Sequence, residues 1–262
     1  MDAWQKKDYA TALREWEPLA KQGNADAQSY LGFMYHSGNG VPQDYNEAMK
    51  WFRLAAGQRY AAAQYFLGLM YYHGQGVHQD YAEAAKWYHK VAELGLAKAQ
   101  YNLGFMYNIG QGVPQDHAEA AKWWHKAAEQ GIAKAQHNLG VFYAEGQGVL
   151  QDHAEAAKWY RKAAVQGHAD AQYNLGLAYA RGQGVLPDDT EAAKWFRKAA
   201  GQGMADAQYI LAAMHLQGNG VHQDYAEAAK WYRKAAVQGH ADAQWLFSRI
   251  FMLTRASRMN SK

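Results

Sequence analysis

The side chains that could carry chemistry here are twelve histidines, five serines and twenty-four carboxylates, with no cysteine. A zinc site of the His-Glu-x-x-His kind needs two histidines four apart on one helix face, and no two are so spaced. His89 and His125 lie 36 residues apart in a slot otherwise filled by Arg53, Arg161, Arg197 and Arg233, which marks an exposed position rather than a ligand set. The serines, at 29, 37, 248, 257 and 261, stand in neither Ser-x-x-Lys nor Gly-x-Ser-x-Gly, the settings that activate a hydroxyl. The Gly-Gln-Gly segments follow no strand and lack the third glycine of a dinucleotide fingerprint, so they read as turns. We expect no enzyme, no cofactor and no metal. A hydrolase acting on peptides or cell-wall fragments is the alternative, without an identifiable nucleophile.

Recognition chemistry remains. Tyr65, Tyr101, His137, Tyr173 and Tyr209 form one row, and Asn102, Asn138 and Asn174 form another beside it. Tyrosine offers contact area and a hydroxyl at low entropy cost, and asparagine both donates to and accepts from a peptide backbone. At 100° per residue these positions point away from the stripe of Ala27, Leu31 and Tyr35. Lys98, Lys134 and Arg181 flank them and would favour an acidic ligand. The rows equally fit simple copying of a duplicated segment with no ligand selected.

The elements that hold these side chains recur with a strict period. Ala-Gln recurs with Gln at 28, 64, 100, 136, 172, 208 and 244, every interval 36, and Trp51, Trp87, Trp123, Trp159, Trp195 and Trp231 keep the same spacing. A fixed period of this length is the mark of a stacked repeat. Six repeats fill residues 25–240. Residues 1–24 are a partial repeat serving as a cap, and residues 241–262 a capping helix with a basic tail.

Each repeat reads as two helices. In the third, Ala99, Leu103, Met106 and Tyr107 make one apolar stripe over Ala97 to Asn108. Gly110-Gln111-Gly112 stops it. Asp116 caps the second helix with Glu119 three residues on, the spacing of a capping box, and Ala120, Trp123, Trp124 and Ala127 line its buried side. The lysines 50, 86, 122, 158, 194 and 230 each follow a glutamate by three positions, a solvated outer face. Asp8, Tyr9 and Ala12 align with Asp44, Tyr45 and Ala48, so the chain opens almost at a second helix. Phe247, Ser248 and Phe251 take the leucine, glycine and tyrosine slots of a last first helix.

Leu103, Gly104 and Tyr107 followed by Ala120 and Trp124 match the tetratricopeptide pattern, but at period 36 rather than 34. With Ala-x-Ala-Gln-x-x-Leu-Gly-x-x-Tyr, Gly-x-Gly-Val and Ala-x-x-Trp-aromatic met almost throughout residues 25–240, the sequence resembles the Sel-one-like repeat family. Departures are Ala212 for the helix glycine, Arg59 for the closing glycine, and His117 and His153 for Tyr45-type residues. The resemblance implies an all-α, right-handed superhelical α-solenoid of helix-turn-helix repeats, first helices inside and second helices outside. It also implies scaffold or adaptor roles, in bacteria often in signalling or host contact. The disulfide-stapled branch of the family is excluded by the lack of cysteine.

On that arrangement the tyrosine and asparagine rows line a concave face. Successive repeats roughly 9–10 Å apart match about three residues of extended peptide at about 3.3 Å each. The expected partner is a protein or peptide. Nucleic acid is not expected: the net charge is +3, and Arg249, Arg255, Arg258 and Lys262 in the tail leave −1 for the rest, with no basic stripe to neutralise phosphates. No apolar run reaches the roughly 18 residues of a membrane span. The abrupt opening at Met1-Asp2 suggests a periplasmic or secreted protein with its signal peptide removed, the alternative being cytoplasmic.

Overall fold

The computed structural model describes residues 2–246. The capping residues Phe247, Ser248 and Phe251 and the basic tail lie outside them. Fourteen helices follow one another among the described residues: α1 Asp2–Gln5, α2 Tyr9–Lys21, α3 Ala25–Ser37, α4 Tyr45–Gly57, α5 Ala61–His73, α6 Tyr81–Glu93, α7 Ala97–Ile109, α8 His117–Glu129, α9 Ala133–Glu145, α10 His153–Val165, α11 Ala169–Arg181, α12 Asp189–Gly201, α13 Ala205–Gln217 and α14 Tyr225–Val237. Residues 241–246 are also helical. The helices stack in antiparallel-type pairs as an α-solenoid, and the chain divides after Gln130 into two compact units.

Local chemistry sets these boundaries. Each second helix starts on an aspartate whose carboxylate accepts from the backbone N–H three residues on, at 2.9 Å for Asp116 and Glu119. Only that half of the capping box forms. The glutamate turns outward instead, to the lysine three residues further, as Glu83 does to Lys86 at 2.9 Å. First helices end on a left-handed glycine such as Gly110, φ 68. Arg59, standing for a closing glycine, takes φ 64 and so bears a strain that glycine does not.

Two glycines have a packing reason. A Cβ on Gly104 would come within 2.6 Å of Trp124 Cδ1, so the helix of Leu103 can approach the ring only without one. A Cβ on Gly112 would collide with the carbonyl of Tyr81, because the loop of one repeat rests on the start of the preceding second helix. Ala212, which replaces a helix glycine, is fully buried in the cluster around Tyr232.

Within each unit the core is a series of layers in which small residues pack around large rings. Alanines 48, 55, 56 and 63 surround Phe52 in the first unit, and alanines 163, 171, 192 and 193 accompany Phe196 in the second. The repeated glutamine is also internal. Gln100 Nε2 donates to the Ala92 carbonyl at 3.0 Å, and its Oε1 accepts from Gln130 Nε2 at 2.8 Å. Gln130 reaches the Gly95 carbonyl as well, at 2.9 Å. A buried amide is thereby satisfied, which a dry interior demands. The same glutamine pair joins residues 58 and 28 in the first unit and 166 and 136, 202 and 172, 238 and 208 in the second. At the sixth position of this kind stands Leu94, and Gln64 Oε1 is buried with no partner.

Candidate binding surface

In the first unit the tyrosine row does not stand free. Tyr65 is half-buried, its ring 5.8 Å from that of Tyr88, and its hydroxyl accepts from Asn102 Nδ2 at 3.4 Å. Burial pushes its phenol above the ordinary value. Tyr101 and Asn102 are likewise half-buried, and Lys98 is exposed. The helical projection pointed this row away from the core. In a stacked array the next repeat closes over it, so it faces the repeat junction and shows only part of each ring.

Beside Asn102 a pocket of about 200 Å³ opens between α5 and α7. Leu69, Tyr72, His73, Tyr88, Tyr101 and Phe105 line it together with Asn102. Tyr72 spans onward, its hydroxyl donating to Gln111 Oε1 at 2.9 Å. Sequence reasoning found Tyr101 and Asn102 but missed Leu69, Tyr72, His73 and Phe105, which lie one and two turns along the same face.

In the second unit His137 occupies the tyrosine slot. Its ring stacks on His168 with centroids 4.8 Å apart and 17° between planes. The Asn174 amide donates to its Nε2 at 3.2 Å, which leaves Nδ1 to carry the proton and face Asn138 Oδ1 at 3.4 Å. That arrangement holds a neutral ring. Burial, then the neighbouring His168, lowers its pKa, and burial lowers that of His168. Tyr173 meets Phe196 edge-on at 5.8 Å, and Tyr209 stacks on His240 at 4.5 Å and 15°. Lys134 and Arg181 are exposed. A second pocket of about 180 Å³ lies at Asn174, with Ala144, Tyr160 and Leu177 around it. The residue just before each first helix, His168 or His240, covers the row. Its alternation of Tyr60, Leu96, Ile132, His168, Met204 and His240 was the available signal.

The opposite helices carry the lysine ladder. Lys50, Lys86, Lys122, Lys158, Lys194 and Lys230 pair with their glutamates at 2.5–2.9 Å, well exposed, as a solvated face should. His89 and His125 are partly exposed and lie 3.5 Å from Glu93 and Glu129. Among the described residues no three or more His, Asp or Glu are grouped to hold a metal ion, and no helix is long and apolar enough to cross a membrane.

The sequence profile of the Sel1 repeat matches residues 25–60, 61–96, 97–132, 133–168, 169–204 and 205–240. The comparison with curated proteins gave no match. Among solved structures the chain is similar to c5321, described as a protective antigen present in uropathogenic Escherichia coli strains displaying an SLR fold. The TM-score is 0.89 and the identity 44%, over 93% of this chain and 52% of that one, so this chain spans about half the length of that relative. It is also similar to a Sel1 repeat protein from Oxalobacter formigenes, TM-score 0.76 and 32% identity, over 89% of this chain and 94% of that one. Proteins of these repeats generally act as protein–protein interaction scaffolds and are generally not enzymes. Matched six times with no residue between matches, and folded as those two structures are, the chain belongs to the Sel1 repeat family.

Proposed function

We propose that this chain is a scaffold or adaptor that takes up a protein or extended peptide on the face built by its first helices, in bacterial signalling or host contact. The observation carrying this reading is the contrast between its two faces. Each second helix of the six repeats pairs one lysine with a glutamate of its own. The first helices present half-buried tyrosine and asparagine beside an aromatic pocket, a composition enriched where proteins meet. A hydrolase reading gains no support: Ser37 Oγ donates to the Phe33 carbonyl of its own helix and Ser29 is buried.

An exported location, periplasmic or secreted, goes with this reading. Similarity to a protein described as a protective antigen supports it. Cell fractionation tests it; a purely cytoplasmic protein would remove the host-contact role.

The binding test is capture of partners from bacterial and host extracts on the immobilised chain, followed by titration of face variants. Asn138→Ala should weaken the captured partner by about 1–2 kcal/mol, the scale of leaving a polar group unpaired. Tyr101→Ala and Tyr173→Ala should cost similar amounts as aromatic hot spots. Lys158→Ala should cost almost nothing, since exposed ion pairs contribute little. Loss of binding with Lys158→Ala alone would move the site to the second helices.

A further inference from the structure

We propose that the pocket between α5 and α7 is an anchor subsite for one aromatic side chain, of the phenylalanine type, belonging to the bound protein or peptide. This deepens the scaffold reading and rests on it. The occupant is indicated by the molecule itself. On α2, α4 and α6 of the first unit, equivalent positions carry the rings Trp16, Phe52 and Tyr88. The residue that follows each on the next first helix is Tyr30, Phe66 and Asn102 in turn. Tyr30 stacks on Trp16 at 4.4 Å and 19°, and Phe66 on Phe52 at 4.9 Å and 4°. At the third step asparagine replaces the ring.

The socket persists although its ring is gone. Four rings surround Phe66: Phe52 beneath it, Phe33 edge-on at 5.5 Å, His36 at 5.8 Å and Tyr65 at 5.9 Å. Thirty-six residues on, their equivalents are Tyr88, Leu69, Tyr72 and Tyr101, and all four line the pocket. Asn102 is held at its edge by the Tyr65 hydroxyl. The volume of about 200 Å³ suits one ring, since an apolar cavity of about 150 Å³ accepts benzene. The second unit differs. At Asn174 the counterpart of Tyr72 is Ala144 and that of Phe105 is Leu177, leaving a pocket with fewer rings. One repeat further, Ile210 fills the position and packs in the cluster of Phe196. The aromatic socket at Asn102 is therefore distinguished from the pocket at Asn174 by its walls, and from the position of Ile210 by its vacancy.

The test uses the full chain and three blocked amino acids as probes: N-acetyl-L-phenylalaninamide, N-acetyl-L-leucinamide and N-acetylglycinamide. Each is titrated while NMR follows the tyrosine and phenylalanine ring signals. The phenylalanine probe should give saturable shifts with at least fivefold tighter binding than leucine, and glycine should give none. Asn102→Phe, which rebuilds the arrangement of Phe66, should weaken the phenylalanine probe tenfold or more while helix content and melting are retained. If that variant is poorly folded, Asn102→Ile, patterned on Ile210, takes its place. No saturation, equal affinity for phenylalanine and leucine, or unchanged binding in the filled variant would each overturn the proposal. Capture experiments separate it from the scaffold reading. A partner that binds Asn102→Phe as tightly as the parent removes the anchor and leaves the scaffold standing. Failure of the parent chain to capture any protein removes the scaffold reading, while the probe titration still decides the pocket.

Discussion

Leu94→Gln should stabilise the first unit, and the structure supplies the magnitude. Five glutamines at equivalent positions each place Nε2 2.8 Å from the Oε1 of a buried glutamine 30 residues earlier in the same repeat. Three of them also reach a loop carbonyl at 2.9 Å. Leu94 does neither, and Gln64 Oε1 remains buried without a donor. A net hydrogen bond contributes about 0.5–1.5 kcal/mol, and an unsatisfied buried acceptor costs about 1–3 kcal/mol. Opposing terms are small. Leu94 is 66% exposed, so little apolar burial is lost. Ordering a glutamine side chain costs at most about 1.5–2 kcal/mol, and less here because part of the chain is already held by the helix end. The expected gain is about 1 kcal/mol, or about 2–4 °C of melting temperature at this size. Urea unfolding would measure it, and hydrogen exchange would show where protection rises. A double-mutant cycle with Gln64→Leu isolates the bond: with the acceptor gone, the gain should vanish. Equal or lower stability of Leu94→Gln, or a gain that survives Gln64→Leu, would refute the reasoning.

Trp159 is 3% exposed, so Trp159→Ala should cost about 3–5 kcal/mol; repeats couple through nearest neighbours, so exchange should rise first around α10, and equal deprotection of every helix would contradict this. His137 has a folded pKa below its unfolded value of about 6.5, so the unfolded chain binds more protons below that pH. Its contribution is then present above about pH 6.5 and is lost as the solution is acidified towards the folded pKa. Melting followed from pH 7.5 to 5 should show the fall, and His137→Tyr, which restores the residue found at 65, 101, 173 and 209, should flatten it; an unchanged slope would remove His137 as the cause.

Much of the fold was legible because each local signal recurs in register. The period fixed the helix pairs, Asp116 and its equivalents fixed their starts, and Gly110 their ends, with α7 running to Ile109, one residue past the expected Asn108. Alignment of Asp8 and Tyr9 with Asp44 and Tyr45 placed α2, and Trp4 on the residual α1 does pack on Tyr9 and Trp16. The candidate site was less legible. A helical wheel describes one helix in water, and it put Tyr65 and His137 on an open face. Their surroundings come from residues 23 to 37 positions away, Tyr160 and His168 on His137 and Tyr88 and Asn102 on Tyr65, which only the stacking brings close. The glutamine pairing escaped for the same reason. Gln100 was used as a marker of the period, yet its partner Gln130 lies 30 residues on. The pocket was written in the change from Phe66 to Asn102, a difference between repeats in a sequence read for what its repeats share.

The fixed offsets of these bonds also bear on how such a chain can change its length. Within each unit the glutamine bonds span eight, 30 and 35 residues, and the junction bonds from Asn102 to Tyr65 and from Tyr72 to Gln111 span 37 and 39. Excision or duplication of 36 consecutive residues, begun anywhere, returns each side chain to the equivalent slot of a neighbouring repeat, so the glutamine bonds re-form wherever both slots carry glutamine. A number that is not a multiple of 36 misaligns all of them at once. Length in this molecule is thus quantised, and unequal recombination between its similar segments would lengthen or shorten the reading frame in whole repeats while each new junction keeps the register of its contacts.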